Sequence, residues 1–222
     1  MMPRGWRSCL ALLLVAGCAN PGRPPVAERS PVFSARPDTY TVNRGDTLYS
    51  IAWRFDLDFR TLAQTNELRP PYKIVPGQKV RLTAPVASRQ RPPTIPDNVQ
   101  AKPAVTGWVW PTAARVSRGY AKGNSGLDFA LTHNTPIKAA AAGVVVYAGT
   151  GLGGFRQLVI IKHDERYLSA YSLQQAGLVV EGESLRAGQV ISNVTDPGRA
   201  ALHFEIRKDG QPVDPRSVLS AR

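Results

Sequence analysis

Few side chains in this sequence could do chemistry. Asp128, within Asn124-Ser-Gly-Leu-Asp128, and His203, within Ala201-Leu-His203-Phe-Glu-Ile, bring a carboxylate and an imidazole. Such groups ligate divalent metals and carry protons. Of the remaining histidines, His163 ends an apolar run in a Lys-His pattern and reads as a turn or surface residue. His133 sits in a Thr-His-Asn loop and reads as solvated. The two cysteines, Cys9 and Cys18, both lie in the first 18 residues, so the chain beyond Cys18 holds no thiol for a disulfide or a metal cage. Asp128 and His203 are two protein ligands, and catalytic zinc sites use three.

The N-terminus sets the compartment. Arg4 and Arg7 precede the apolar run Cys9-Leu-Ala-Leu-Leu-Leu-Val-Ala-Gly17. That run is too short for a bilayer, which needs about 20 residues, and it ends in small residues as export signals do. Val15-Ala-Gly-Cys18 resembles a bacterial lipobox. The resemblance implies a signal peptide over 1–17 and a lipid on Cys18; an ordinary secretory peptide cut near Ala19 is the alternative. With Ala19 rather than Asp after the cysteine, it also implies an outer-membrane lipoprotein facing the periplasm. The formal net charge is +12, two of it from Arg4 and Arg7. A basic balance suits an anionic partner such as a wall polymer or lipid head groups. No Lys/Arg block dominates and no nucleic-acid motif is present, which argues against nucleic acid as a partner.

Residues 18–38, rich in Pro, Arg and Ser, read as a lipidated flexible tether. Residues 39–83 read as a compact unit. Tyr40-Thr-Val42 is a short strand. Arg44-Gly-Asp46-Thr47 is a turn in which Asp46 or Thr47 caps a helix carrying Leu48, Ile51, Ala52 and Phe55 at helical spacing. A second helix starts near Leu57 and ends near Asn66, and Val75-Pro-Gly-Gln-Lys-Val-Arg-Leu82 is a tight turn and closing strand. These motifs resemble the LysM family, a βααβ module that binds N-acetylglucosamine-containing glycans, here peptidoglycan. The resemblance places Gly45, Asp46, Thr47, Asn66 and Ile74 along the sugar groove. Asp46 and Thr47 serve equally as a helix cap.

Residues 84–106 are a Pro-rich linker, kept extended at up to ~3 Å per residue. The first domain could then hold the wall while the second reaches a target. Residues 107–222 form a β-rich domain. Strands are expected at Pro136–Ala140, Gly143–Tyr147, Leu158–His163, Tyr167–Tyr171, Gln189–Ile191 and Leu202–Arg207. The unbroken apolar run Leu158–Ile161 predicts a sheet covered on both faces. The expected class is α+β: a small βααβ module joined to a mostly-β domain.

That second domain, from Trp110-Pro to Val213-Asp-Pro215, resembles the LytM-like (lysostaphin-type) zinc endopeptidases. Carried over position by position, their three metal ligands fall on Asn124, Asp128 and His203, and their two catalytic histidines on Leu173 and Ala201. Asn124 is a neutral amide, and Leu173 and Ala201 cannot titrate. The resemblance therefore implies a peptidase fold without catalytic residues, bound metal or cofactor. What remains is a groove that can hold a partner's peptide or helix, lined by Asn124, Asp128, Tyr171, Leu173, Ala201 and His203. Degenerate members of the family activate periplasmic N-acetylmuramoyl-L-alanine amidases. The expected function is accordingly a non-catalytic lipoprotein that binds peptidoglycan and switches on such an amidase for daughter-cell separation. A wall-binding membrane anchor and a weak zinc endopeptidase are the alternatives.

Overall fold

The computed structural model describes residues 37–83, 107–150, 157–174, 177–195 and 201–221. The signal segment, Cys18 and nearly all of the tether, and the linker over 84–106 lie outside the described residues, as does the side chain of Ala201.

The first unit runs β1 (Thr39–Thr41), α1 (Leu48–Arg54), α2 (Phe59–Thr65), β2 (Lys79–Arg81), with β1 and β2 antiparallel. Thr47 caps α1: its side chain accepts from Ser50 N, and Ser50 Oγ accepts in return from Thr47 N. Such a reciprocal box satisfies two helix-end donors and contributes about 1 kcal/mol. Asp58 caps α2 through the amides of Arg60 and Thr61. Leu48, Ile51, Phe55 and Leu62 are buried at the spacing read from the sequence.

The second unit is built on an eight-stranded antiparallel sheet, ordered β3 (Val116–Arg118), β4 (Leu127–Ala130), β11 (Ala201–Lys208), β8 (Tyr167–Leu173), β7 (Gln157–Lys162), β6 (Gly143–Gly149), β9 (Ser184–Leu185). The remaining strand, β12 (Gln211–Val213), shares an edge of β11 with β4. β5 (Pro136–Lys138) and β10 (Val190–Asn193) pair as a separate ribbon. The expected strands are present, with ends shifted by a few residues. The expected set lacks β3, β4, β9 and β12, each two to four residues long and too short to show period-two alternation. Gly126 stands at the entry to β4 because a Cβ there would meet Phe204 O at 2.2 Å.

One face of this sheet packs on Tyr171, Phe204, Phe129, Ile161 and their neighbours, with the β5–β10 ribbon and Ala139–Ala141. The other face carries Leu158, Ile160, Leu168 and Ala170, and these belong to one continuous apolar cluster with Leu48, Trp53, Phe59 and Leu62 of the first unit. The sheet is covered on both faces, as Leu158–Ile161 predicts, and the second cover is the first domain. A domain tethered at a distance is therefore not what the structure shows: the two units are docked.

Candidate functional site

Antiparallel register assembles the site. Strand partners place Asp128 opposite His203, His203 opposite Ser172, and Ser172 opposite Leu158. Directly opposed residues share a face, so Asp128, His203 and Ser172 form one row across β4, β11 and β8. Successive side chains on a strand alternate between faces. The next two rows on the same face are then Glu205, Ala170, Ile160 and Arg207, Leu168, Lys162.

His203 is held by two carboxylates. Its Nδ1 lies 2.5 Å from Asp128 Oδ1 and its Nε2 lies 2.9 Å from Glu205 Oε1. Glu205 also accepts from Ser125 Oγ at 2.7 Å, and its Oε2 lies 3.5 Å from Arg207 Nε. Burial works against the imidazolium, but the Asp128 and Glu205 hydrogen bonds outweigh it and raise the His203 pKa to about 9. Both ring nitrogens therefore donate at neutral pH. Burial likewise opposes the Glu205 carboxylate, and His203, Arg207 and Ser125 together hold its pKa below the usual value.

The other expected site residues are placed differently. Asn124 is buried and spends its amide nitrogen on Gly119 O (2.8 Å) and Gly126 O (3.1 Å), stitching the β3–β4 turn. Tyr171 and Leu173 do not line the Asp128–His203 row. They flank Ser172 on β8, so alternation turns them to the opposite face, where both are fully buried. The Tyr171 hydroxyl accepts from Ala140 N at 2.7 Å. At position 201 the described backbone pairs with Ala130. Residues on this face that the sequence reading missed are Ser172, one position from Leu173, and Glu205, two positions from His203.

These residues do not fit a catalytic zinc ion. The two good donors, Asp128 and His203, are bonded to one another, and the second nitrogen of His203 is bonded to Glu205. The third position is an amide committed to two backbone carbonyls. Among the described residues no group of three His, Cys, Asp or Glu side chains is placed to hold a metal. What the arrangement can do is fix β4 to β11 and present a partly open polar row, with Asp128 and His203 side chains 19% and 23% exposed.

His133 is exposed, as expected. His163 is not a free turn residue. Its ring packs edge-on against Trp108, with centroids 4.7 Å apart. Nδ1 lies 2.8 Å from Ala142 O, and a carbonyl only accepts, so Nδ1 carries the proton. Nε2 is left to accept from Ser169 Oγ at 2.7 Å. Burial pushes the His163 pKa down to about 4. The two histidines thus move in opposite directions from 6.5. For His163 the unfolded chain binds the proton more readily, so stability falls as pH drops from about 6.5 toward 4. For His203 the folded chain binds it more readily, so stability falls as pH rises from about 6.5 toward 9. Each limb amounts to no more than about 3 kcal/mol. A melting temperature measured against pH should peak between these limbs. A midpoint that climbs steadily from pH 6.5 to 9 would contradict the imidazolium assignment.

In the first domain, Gly45 is exposed, and Asp46, Thr47 and Ile74 are partly so. The bonds Val42 N to Gln78 O and Gly77 N to Val42 O bring the 75–78 turn beside the strand leading into this loop. Asp46 Oδ2 accepts from Tyr40 Oη and from Asn43 N, both at 2.8 Å. Asn66 is a tie between α2 and β2: it donates to Leu62 O and Arg81 O and accepts from Arg81 N.

Two family models match the chain, "LysM domain" over residues 40–83 and "Peptidase family M23" over residues 122–215. The lipoprotein NlpD/LppB homolog of Pseudomonas aeruginosa is 39% identical over 249 residues, covering 91% of this chain and 83% of that protein. The murein hydrolase activator NlpD of Salmonella dublin is 32% identical over 261 residues, covering 83% and 68%. Among solved structures, the catalytic domain of the antimicrobial peptidase lysostaphin from Staphylococcus simulans aligns with 24% identity and a TM-score of 0.41, covering 47% of this chain and 90% of that one.

Proposed function

We propose, from the premise that the chain belongs to the NlpD/LppB lipoprotein family, that it is a murein hydrolase activator. It binds peptidoglycan through its LysM domain and stimulates a periplasmic N-acetylmuramoyl-L-alanine amidase in septal wall cleavage. The M23-like domain cuts nothing itself. The observation that carries this reading is the His203 clamp: at the place where a peptidase would hold its metal, Asp128 and Glu205 hold a protonated imidazole. The alanine at position 201, two residues before His203 on the same strand, brings no general acid–base group either. An activator needs only to bind the amidase's open state better than its closed one, which shifts the population without new chemistry.

The glycan lies over Gly45, Asp46, Thr47 and Ile74, with Asn66 fixing the floor rather than touching the sugar. Cys18 carries the lipid, which places the protein on the outer membrane facing the periplasm. Among the described residues no helix is long and apolar enough to cross a membrane.

The test is dye release from labelled peptidoglycan by residues 19–222, alone and mixed with a periplasmic amidase. Release only in the mixture, well above that of the amidase alone, is expected. Release by this protein alone that a chelator abolishes would mean a working metal site and would overturn the reading.

A further inference from the structure

We propose that the LysM domain is a built-in competitor for the activator surface: docked, it covers the floor beside the Asp128–His203 row on which a helix of the amidase would lie, and activation requires it to leave. The proposal rests on the activator reading. Its basis is which face of the sheet each group occupies. Asp128, His203 and Ser172 form one row, and the two following rows of that same face are covered by the first domain.

Contact between the two units is direct. Arg207, two residues beyond Glu205 and four beyond His203, is 5% exposed. Its guanidinium lies 3.7 Å from the centre of the Trp53 ring. It donates to Trp53 O at 3.3 Å and to Asp56 Oδ1 at 2.7 Å. Lys162 Nζ lies 5.1 Å over the Phe59 ring, and Arg60 reaches Asp209 Oδ1 at 3.0 Å.

Size decides that both occupants cannot be present. Rows on one face repeat every ~6.6 Å along a strand. A helix with side chains is about 10–12 Å across. Packed helices need about 8–10 Å between their axes, so a helix centred on the His203–Ser172 row overlaps a LysM element seated over the Glu205–Ala170–Ile160 row, only ~6.6 Å away. If the LysM domain leaves, Leu158, Ile160, Leu168 and Ala170 become an apolar floor continuous with the polar row, the composition a partner helix requires.

The docked state also has a local weakness. Glu205 Oε2 and Arg207 Nε are buried 3.5 Å apart, an ion pair in which neither atom makes a hydrogen bond. Unsatisfied buried polar atoms are costly, and undocking would return both to water or to a partner. The contact uses the α1–α2 end of the LysM domain (Trp53, Asp56, Phe59, Arg60), while Gly45 and Thr47 lie before the other end of α1.

The test is a reversible lock. A Cβ built on Gly210 would lie 2.6 Å from Asp58 Cα and 2.8 Å from Asp58 Cβ, so the two backbones touch across the domain boundary. Residues 19–222 contain no cysteine, and Asp58→Cys with Gly210→Cys introduces a single pair. Disulfides want Cβ atoms about 3.8 Å apart, a relaxation of about 1 Å. The soluble chain is oxidised, its thiols are counted, and amidase-driven dye release is measured before and after reduction, with the wild type treated identically. The expected result is a disulfide in the folded chain, at least tenfold less stimulation when oxidised, and recovery on reduction. Equal stimulation by the locked and reduced chains would overturn the proposal. If strain at Gly210, which sits at φ +78°, keeps the disulfide from forming, Arg207→Met, which loosens the docked state, decides instead: stimulation above wild type is expected, and stimulation no greater than wild type would overturn the proposal. If the wild type and the reduced variant both fail to stimulate, the activator reading itself is what falls.

Discussion

Replacing His203 with alanine should destabilise the M23-like domain by about 3–5 kcal/mol, the size expected when one member of a buried ionic network is removed. At roughly 2–4 °C per kcal/mol for a chain of this size, the midpoint falls by about 10 °C. The reason is electrostatic rather than volumetric. His203 is an imidazolium between Asp128 and Glu205. Without it, two carboxylates face each other across an emptied space, and Glu205, with a side chain only 6% exposed, keeps Ser125 and a loosely placed Arg207. Carboxylates sharing a site raise one another's pKa. The variant should accordingly lose less relative to wild type near pH 5, where a proton can replace the lost cation, than at pH 7. Thermal melts at both pH values check this. A loss below about 1 kcal/mol, the range of an exposed ion pair, would show that the clamp is solvated and that the histidine is a surface residue.

The clamp also shows what the sequence could and could not disclose. Asp128 and His203 stand out by type, and the antiparallel register does bring them together from 75 residues apart. The family resemblance sets Leu173 and Tyr171 beside them. The structure does not, because side chains alternate and a shift of one residue exchanges faces. Ser172, not Leu173, opposes His203. A resemblance carries positions over, but it does not carry strand phase. Asn66 and Asp46 have motif positions suited to sugar contact, and both hold backbone or side-chain partners within the LysM domain. Polar residues in tight turns commonly do both jobs, and spacing alone cannot separate them.

The docking of the two domains was half legible. Leu158-Val-Ile-Ile reads as a strand covered on both faces, and it is one, since all four are buried. Nothing in that run names the cover. Leu202, Phe204 and Ile206 alternate with His203, Glu205 and Arg207, which read alone gives the second set to solvent. Register contradicts that reading: Glu205 opposes Ala170 and Arg207 opposes Leu168, both apolar and buried. A charged row continuing into an apolar patch on one face marks a surface meant to be covered. The linker over 84–106 hid this, because its composition suggests separation rather than contact.

Arg207 therefore offers a direct test of how the two units hold together. Arg207→Met preserves much of the length and bulk and removes the charge. Four interactions go at once: the guanidinium over Trp53 at 3.7 Å, the bonds to Trp53 O and Asp56 Oδ1, and the cation nearest Glu205 Oε2. The expected cost is about 3–5 kcal/mol, most of it from leaving the Glu205 carboxylate buried without its nearest cation. Asp56→Asn, which touches the same guanidinium, should cost under about 1 kcal/mol, because the Asp56 side chain is 69% exposed and water replaces the partner. The wild type, with one cluster spanning both units, should melt in a single calorimetric transition. In Arg207→Met the LysM unit, too small to bury much surface alone, should unfold in a separate transition at lower temperature. Adding Glu205→Gln to Arg207→Met removes the stranded charge and should recover part of the loss, a coupling that independent sites would not show. Simple additivity of the two substitutions, with one shared transition throughout, would mean that apolar contact alone holds the domains and that the row from His203 to Trp53 is not an energetic unit.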